Sequence, residues 1–116
     1  MANVSALTIR PGDVVVAGFP EVQETKRRPA LVVSSSAYHD ARPDAILAVL
    51  TGQVNAATSA TDYLLRDWRP AGLHLPTAYR TFLITLPRQD ILAVIGHISD
   101  QDWREIRARL VLAMAS

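Results

Sequence analysis

The sequence predicts a mainly β protein, a small antiparallel β-barrel closed by a C-terminal α-helix. Three observations lead there. Five or six short apolar runs follow one another with turn residues about every 8 to 12 positions, the spacing of hairpin-connected strands. The connections carry no helical pattern long enough for the crossovers that parallel strands need. A period of three to four residues is sustained only near the end of the chain, after Ser99.

Taken in order, Arg10-Pro11-Gly12-Asp13 is a turn signal, and the β-branched run Val14 to Phe19 behind it reads as a buried strand that Pro20 stops. Glu21 to Arg28 is polar apart from Val22 and reads as an exposed loop. Pro29 opens a second buried strand, Ala30-Leu31-Val32-Val33-Ser34, and Ser35 to Asp44, with Pro43, is a connection. Ala45 to Thr51 is a third apolar run, stopped by Gly52. Residues 52 to 62 are small and polar and predict a loop; Tyr63-Leu64-Leu65 predicts a short strand. Pro70, Gly72 and Pro76 punctuate an irregular stretch. Thr77 to Leu86 alternates as a strand does, and Ile91 to Ile95 predicts a last one. Ser99-Asp100-Gln101-Asp102 resembles a capping box with Asp in place of Glu. Trp103, Ile106, Leu110 and Met114 follow at helical spacing and predict an amphipathic helix.

Composition bounds the function. At 116 residues, 49% hydrophobic and 20% charged, residues 1–116 are expected to form a single globular domain. The absence of cysteine excludes disulfides and thiolate zinc sites. His39, His74 and His97 are widely spaced without a metal-ligand pattern, and no glycine-rich phosphate loop occurs, so neither a metal nor a cofactor is expected. No apolar run approaches the ~18 residues of a membrane span. The residues Met1 to Ser5 lack the basic patch and apolar stretch of a signal peptide, so a cytoplasmic location without membrane attachment is expected. The net charge is only +1, but eleven of the twelve basic residues are arginine, Lys26 being the exception. The arginine fork suits phosphate and keeps its proton at neutral pH.

The densest positive cluster is Lys26-Arg27-Arg28. A basic triplet in a loop is ordinarily just solvated. Here Pro29 fixes the backbone directly after Arg28, and the apolar run from Ala30 anchors it in the core, which gives Arg28 the defined position that anion recognition needs. Trp68, between Asp67 and Arg69, is a candidate for stacking on a base, whereas Trp103 belongs to the helix stripe. Asp62 and Asp67 stand too isolated to form a catalytic carboxylate pair.

Gly12-Asp13-Val14-Val15, Phe19-Pro20 and Lys26-Arg27-Arg28-Pro29-Ala30-Leu31-Val32-Val33-Ser34 resemble the opening of PemK/MazF-like toxins, ribonucleases of type II toxin–antitoxin systems. The likeness continues through Thr51, Ala71-Gly72-Leu73, Pro76-Thr77, Arg80 and Gly96 to Asp100. The resemblance implies an SH3-like barrel that works as a homodimer, cleaves single-stranded RNA without a metal or other cofactor, and is restrained by an antitoxin with an acidic, partly disordered segment. It implies Arg28 and Thr51 as catalytic residues, with Arg80 matching a further arginine used by some members. Some of those members carry an acidic residue two positions later, where this chain has Phe82.

The residue types fit that chemistry. Metal-free cleavage uses the ribose 2′-OH against its own phosphate, and the protein must stabilise a more negative phosphorane and move two protons. Arg28 offers paired N–H donors to the non-bridging oxygens and Thr51 a hydroxyl. Arg28 is a poor proton acceptor, so Glu24 and His39 are the candidate bases. Lys26, Arg27 and Trp68 are the candidate RNA contacts beyond the reacting groups. A gyrase poison built on a related barrel and a non-catalytic RNA-binding SH3-like module are the alternatives, since fold does not fix function.

Overall fold

The computed structural model describes residues 8–115. Six antiparallel strands form one sheet: β1 (Asp13–Pro20), β2 (Thr25–Val32), β3 (Asp44–Thr51), β4 (Tyr63–Leu64), β5 (Ala78–Pro87) and β6 (Ile91–His97). A short helix α1 (Ser36–Ala41) joins β2 to β3, and α2 (Asp100–Ala113) ends the described chain. The strand order is β4-β5-β3-β2-β1-β6, and no ladder joins β4 to β6. The expected antiparallel sheet and terminal helix are therefore present, but the sheet is not closed into a barrel. The two-residue β4 pairs only with β5 and offers little backbone for closure.

Period-two alternation divides the sheet between two cores. Val15, Ala17, Phe19, Ala30, Val32, Ala45, Leu47 and Leu86 face one core, with Val49 and Ile84 packed against it. Val14, Leu31, Ala48, Leu50 and Tyr79 face the other, which α2 covers through Ile106 and, less deeply, Trp103 and Leu110. Met114 lies just past the helix and is exposed. Parity sorts the buried residues of β1, β2, β3 and β5 between the two cores, while two register shifts against β1 break the alternation on β6.

The sequence reading is corrected in two connections. The polar stretch 21–28 is a loop only at its tip, where the Glu21 N–H donates to the Glu24 carbonyl at 2.8 Å. From Thr25 on it is strand, in register with β1 from Pro20↔Thr25 to Val14↔Leu31. Between Ser35 and Asp44 the chain forms α1, capped by the Ser35 hydroxyl accepting from the Tyr38 N–H.

Helix α2 starts as predicted, with Ser99 Oγ accepting the Asp102 N–H at 3.2 Å. The Asp102 carboxylate, fully buried, does not reach back to the cap as a capping-box acid would. It accepts the Tyr63 hydroxyl at 2.6 Å and the N–H groups of Arg66 and Asp67 at 3.1 and 2.8 Å. This charge ties the helix start to the segment after β4 and satisfies backbone donors that no strand pairs. Gly72, at φ 92°, lies so close to β6 that a Cβ there would sit 2.2 Å from the Ile95 carbonyl oxygen. Only glycine permits that approach.

Candidate functional site

Arg28 occupies a strand position that faces solvent and core at once. Its cross-strand partner is Ala17, and Lys26 lies opposite Phe19; partners share a face, so both cations project on the side of the first core. Arg27, one residue out of phase, falls on the opposite face, where it lines a separate depression with Gly18, Thr25, Gln89 and Asp90. The positive triplet is thus split by the pleat. It stands proud of the sheet because β3 pairs with β2 only over Ala30 to Val32.

At the open end of that core lies a cavity of about 370 Å³, into which four strands and the β1–β2 turn send side chains. Arg28 comes from β2, Thr51 from the end of β3, and Arg80 and Phe82 from β5. The pattern follows from alternation: Arg28 is in phase with Ala30 and Val32, Thr51 with Leu47 and Val49, and Arg80 and Phe82 with Ile84 and Leu86. Each strand is apolar where it crosses the core and polar where it leaves it.

Each polar group in the cavity has a neighbour. Arg28 Nε donates to Glu21 Oε2 at 2.9 Å, and its Nη2 stands 2.8 Å from the same oxygen. Thr51 Oγ1 accepts the Gln53 N–H at 3.1 Å, which leaves the hydroxyl proton free to donate. Arg80 Nε is buried without a hydrogen bond, and the nearly buried Asp62 carboxylate lies 3.8 Å away. Asp62 is itself held by the Ser59 N–H at 3.2 Å, and Thr81 Oγ1 donates to the Thr61 carbonyl at 2.6 Å. The loop before β4 is therefore fastened to β5 beside Arg80.

Arg28, Thr51 and Arg80 are brought together; the other sequence-predicted residues are placed elsewhere. Glu24 does not line the cavity, and its carboxylate is 3.9 Å from Lys26 Nζ. Trp68 packs against the second core, with the Arg69 guanidinium 4.8 Å over its ring. His39 is buried on α1, its Nε2 2.6 Å from Ser34 Oγ, and burial followed by the Arg88 charge lowers its pKa from the ordinary value. His97 is structural, with Nδ1 2.9 Å from Asp13 Oδ1. Sequence reasoning passed over Glu21, Phe82 as a lining residue, and Asp62. Glu21 was legible only as the first residue of a polar loop.

Two cationic forks, a hydroxyl and an exposed ring at the mouth of a small antiparallel sheet define a β protein with an anion-receptive cavity. Residues 10–114 match the family of PemK-like, MazF-like toxins of type II toxin–antitoxin systems, and the chain belongs to that family. Among solved structures, it resembles the endoribonuclease of a mycobacterial species in complex with its cognate antitoxin. That likeness has a TM-score of 0.75 and 18% identity over 91% of this chain and 94% of that one. It also resembles Mycobacterium tuberculosis toxin MazF-mt6, with a TM-score of 0.68 and 17% identity over 87% and 94%. MazF of Deinococcus radiodurans gives 0.69 and 23% over 93% and 99%. At these identities the likeness is one of fold. No curated protein matches the chain by sequence. Among the described residues no helix is long and apolar enough to cross a membrane, and no three His, Asp or Glu side chains gather to hold a metal ion.

Proposed function

We propose that this chain is a metal-independent endoribonuclease that cleaves single-stranded RNA through the ribose 2′-OH. The observation that carries the reading is the convergence of Arg28, Thr51 and Arg80 on one open cavity from three strands that are far apart in sequence. A phosphodiester in that cavity receives N–H donors from two guanidinium groups and the Thr51 hydroxyl. As the 2′-oxygen attacks, the phosphorane gains negative charge, and fixed donors stabilise it more than the ground state. The P–O5′ bond breaks, leaving a 2′,3′-cyclic phosphate and a 5′-hydroxyl.

The 2′-OH must lose its proton, and Glu21 replaces Glu24 as the acceptor on grounds of position. It lines the cavity and already touches Arg28. When phosphate competes for Arg28, the Glu21 carboxylate is released beside the reacting ribose. The departing 5′-oxygen takes its proton from water at the open mouth. Lys26, on the same face, extends the positive track along the hairpin. Membership of the family supports assembly as a homodimer in the cytoplasm and inhibition by an antitoxin whose acidic segment covers Lys26 and Arg28.

Incubation of the protein with single-stranded RNA in chelator tests the reading. Defined fragments with cyclic phosphate ends are expected. Arg28→Ala should slow cleavage about a hundredfold or more, and Arg28→Lys should not restore it. Equal cleavage of a substrate with 2′-deoxyribose at the cut site would overturn the mechanism.

A further inference from the structure

Phe82 is 63% exposed in the middle of a strand, and among the described residues it is the one aromatic in the set of strongly exposed large hydrophobic side chains. Such a ring in water is costly unless something covers it. Its surroundings limit what that is. It shares its cavity with the Arg28 and Arg80 guanidiniums and the Thr51 hydroxyl, and on its own strand face it lies between Arg80 and Ile84. A purely apolar partner would have to bury both guanidiniums and leave the donors not taken by Glu21 and Asp62 without acceptors, at a desolvation cost. A nucleotide meets both demands, since its phosphate pairs with the cations and its base offers a flat π-face to the ring.

We infer that Phe82 is a stacking platform for the unpaired nucleobase next to the phosphate held by Arg28, and so a residue that sets affinity and base preference. The inference rests on the reading of this cavity as an RNA site. Arg80 and Phe82 stand two residues apart on β5, about 6–7 Å in an extended strand, in the stretch where the pairing with β3 shifts between Ala48↔Leu83 and Leu50↔Tyr79, and both line the cavity. A nucleotide spans a comparable distance from phosphate to base. The ring also supplies what Trp68, packed against the second core, does not bring to the cavity.

Binding is measured by fluorescence anisotropy with 2′-O-methyl 12-mers, which cannot be cleaved: homopolymers of A, C and U, and an abasic strand of equal charge. Phe82→Ala should weaken binding of at least one base-bearing strand by about 5- to 150-fold and leave the abasic strand unchanged. Phe82→Trp should retain binding. Arg28→Ala, the control, should weaken all strands alike. Equal losses on base-bearing and abasic strands, or no loss on any, would overturn the platform. So would a Phe82→Ala protein that sediments as a smaller species than the wild type, which would place the ring between copies of the chain. A wild type that binds these strands and shows the contrast but leaves unmodified RNA uncut sinks the nuclease reading and keeps the platform. One that cuts RNA without the contrast does the reverse.

Discussion

Arg28 and Glu21 hold each other in the free protein, and that pairing sets what each does. Both N–H contacts of Arg28 go to a single carboxylate oxygen, so phosphate gains the fork by displacing one side chain rather than a network. Glu21→Gln removes the proposed proton acceptor and leaves the arginine. Single-turnover cleavage should fall by about 10²–10⁴, the usual size of a lost acid–base group, while uncleavable RNA binds as well or better. Wild-type rates from Glu21→Gln would remove Glu21 from the mechanism. The sequence displayed Arg28 through Pro29 and the apolar run that follows. It named Glu24 and passed over Glu21, because which acid lines the cavity depends on how the turn between β1 and β2 folds back from the Pro20↔Thr25 pair.

At the scale of elements, the first half of β2 looked like a loop because it is solvated along most of its length. β3 stops pairing at Ala30, so Thr25 to Arg28 need no apolar face. Helix α1 is six residues long, too short to show a period. The loop of residues 52–62 read as featureless, yet its end is built: Asp62 is fixed by Ser59 and stands 3.8 Å from Arg80 Nε. We propose that this carboxylate orients Arg80, which would leave the outer nitrogens of the fork for phosphate. Asp62→Asn should therefore lower cleavage about tenfold, within the range set by couplings of about 0.5–3 kcal/mol between touching residues. In an Arg80→Ala background the same change should cost nothing further, and Asp62→Glu should recover part of the loss. Equal losses in both backgrounds would mean that Asp62 serves the loop and not Arg80.

For the whole molecule, one sheet serves two cores by giving each a face, and the cavity is where the first core runs out of apolar residues. Remote from it, α1 is pinned by a buried polar knot. His39 Nε2 meets Ser34 Oγ, His39 Nδ1 has no partner, and Arg88 donates to the carbonyls of His39 and Arg42 at 3.1 and 2.8 Å. Burial, then the Arg88 charge, pushes the His39 pKa down, with Asp40 opposing. The unfolded chain, with His39 near 6.5, binds the proton first. Stability is therefore full above about pH 6.5 and is lost as pH falls from there through the lower folded-state value. Denaturant unfolding at about pH 7.5 and pH 5 should show a larger drop for the wild type than for His39→Gln. Equal drops would place the acid sensitivity elsewhere.

The amino-acid sequence alone determined where most of the strands and the C-terminal helix run and the cap at Ser99, and its likeness to a toxin family pointed to Arg28, Thr51 and Arg80, which we propose as the site. These are local properties: apolar periodicity, turn residues, and a motif embedded in a core strand. Tertiary structure decided what depends on register and on partners distant in sequence. It left the sheet open, split Lys26 and Arg28 from Arg27 by the pleat, and sent Asp102 to the segment after β4. It also lined the cavity with Glu21 rather than Glu24, and with both Arg80 and Phe82. A side chain's type is written in the chain, but the face it takes and the groups it meets follow from strand pairing, where a shift of one residue reverses every side chain.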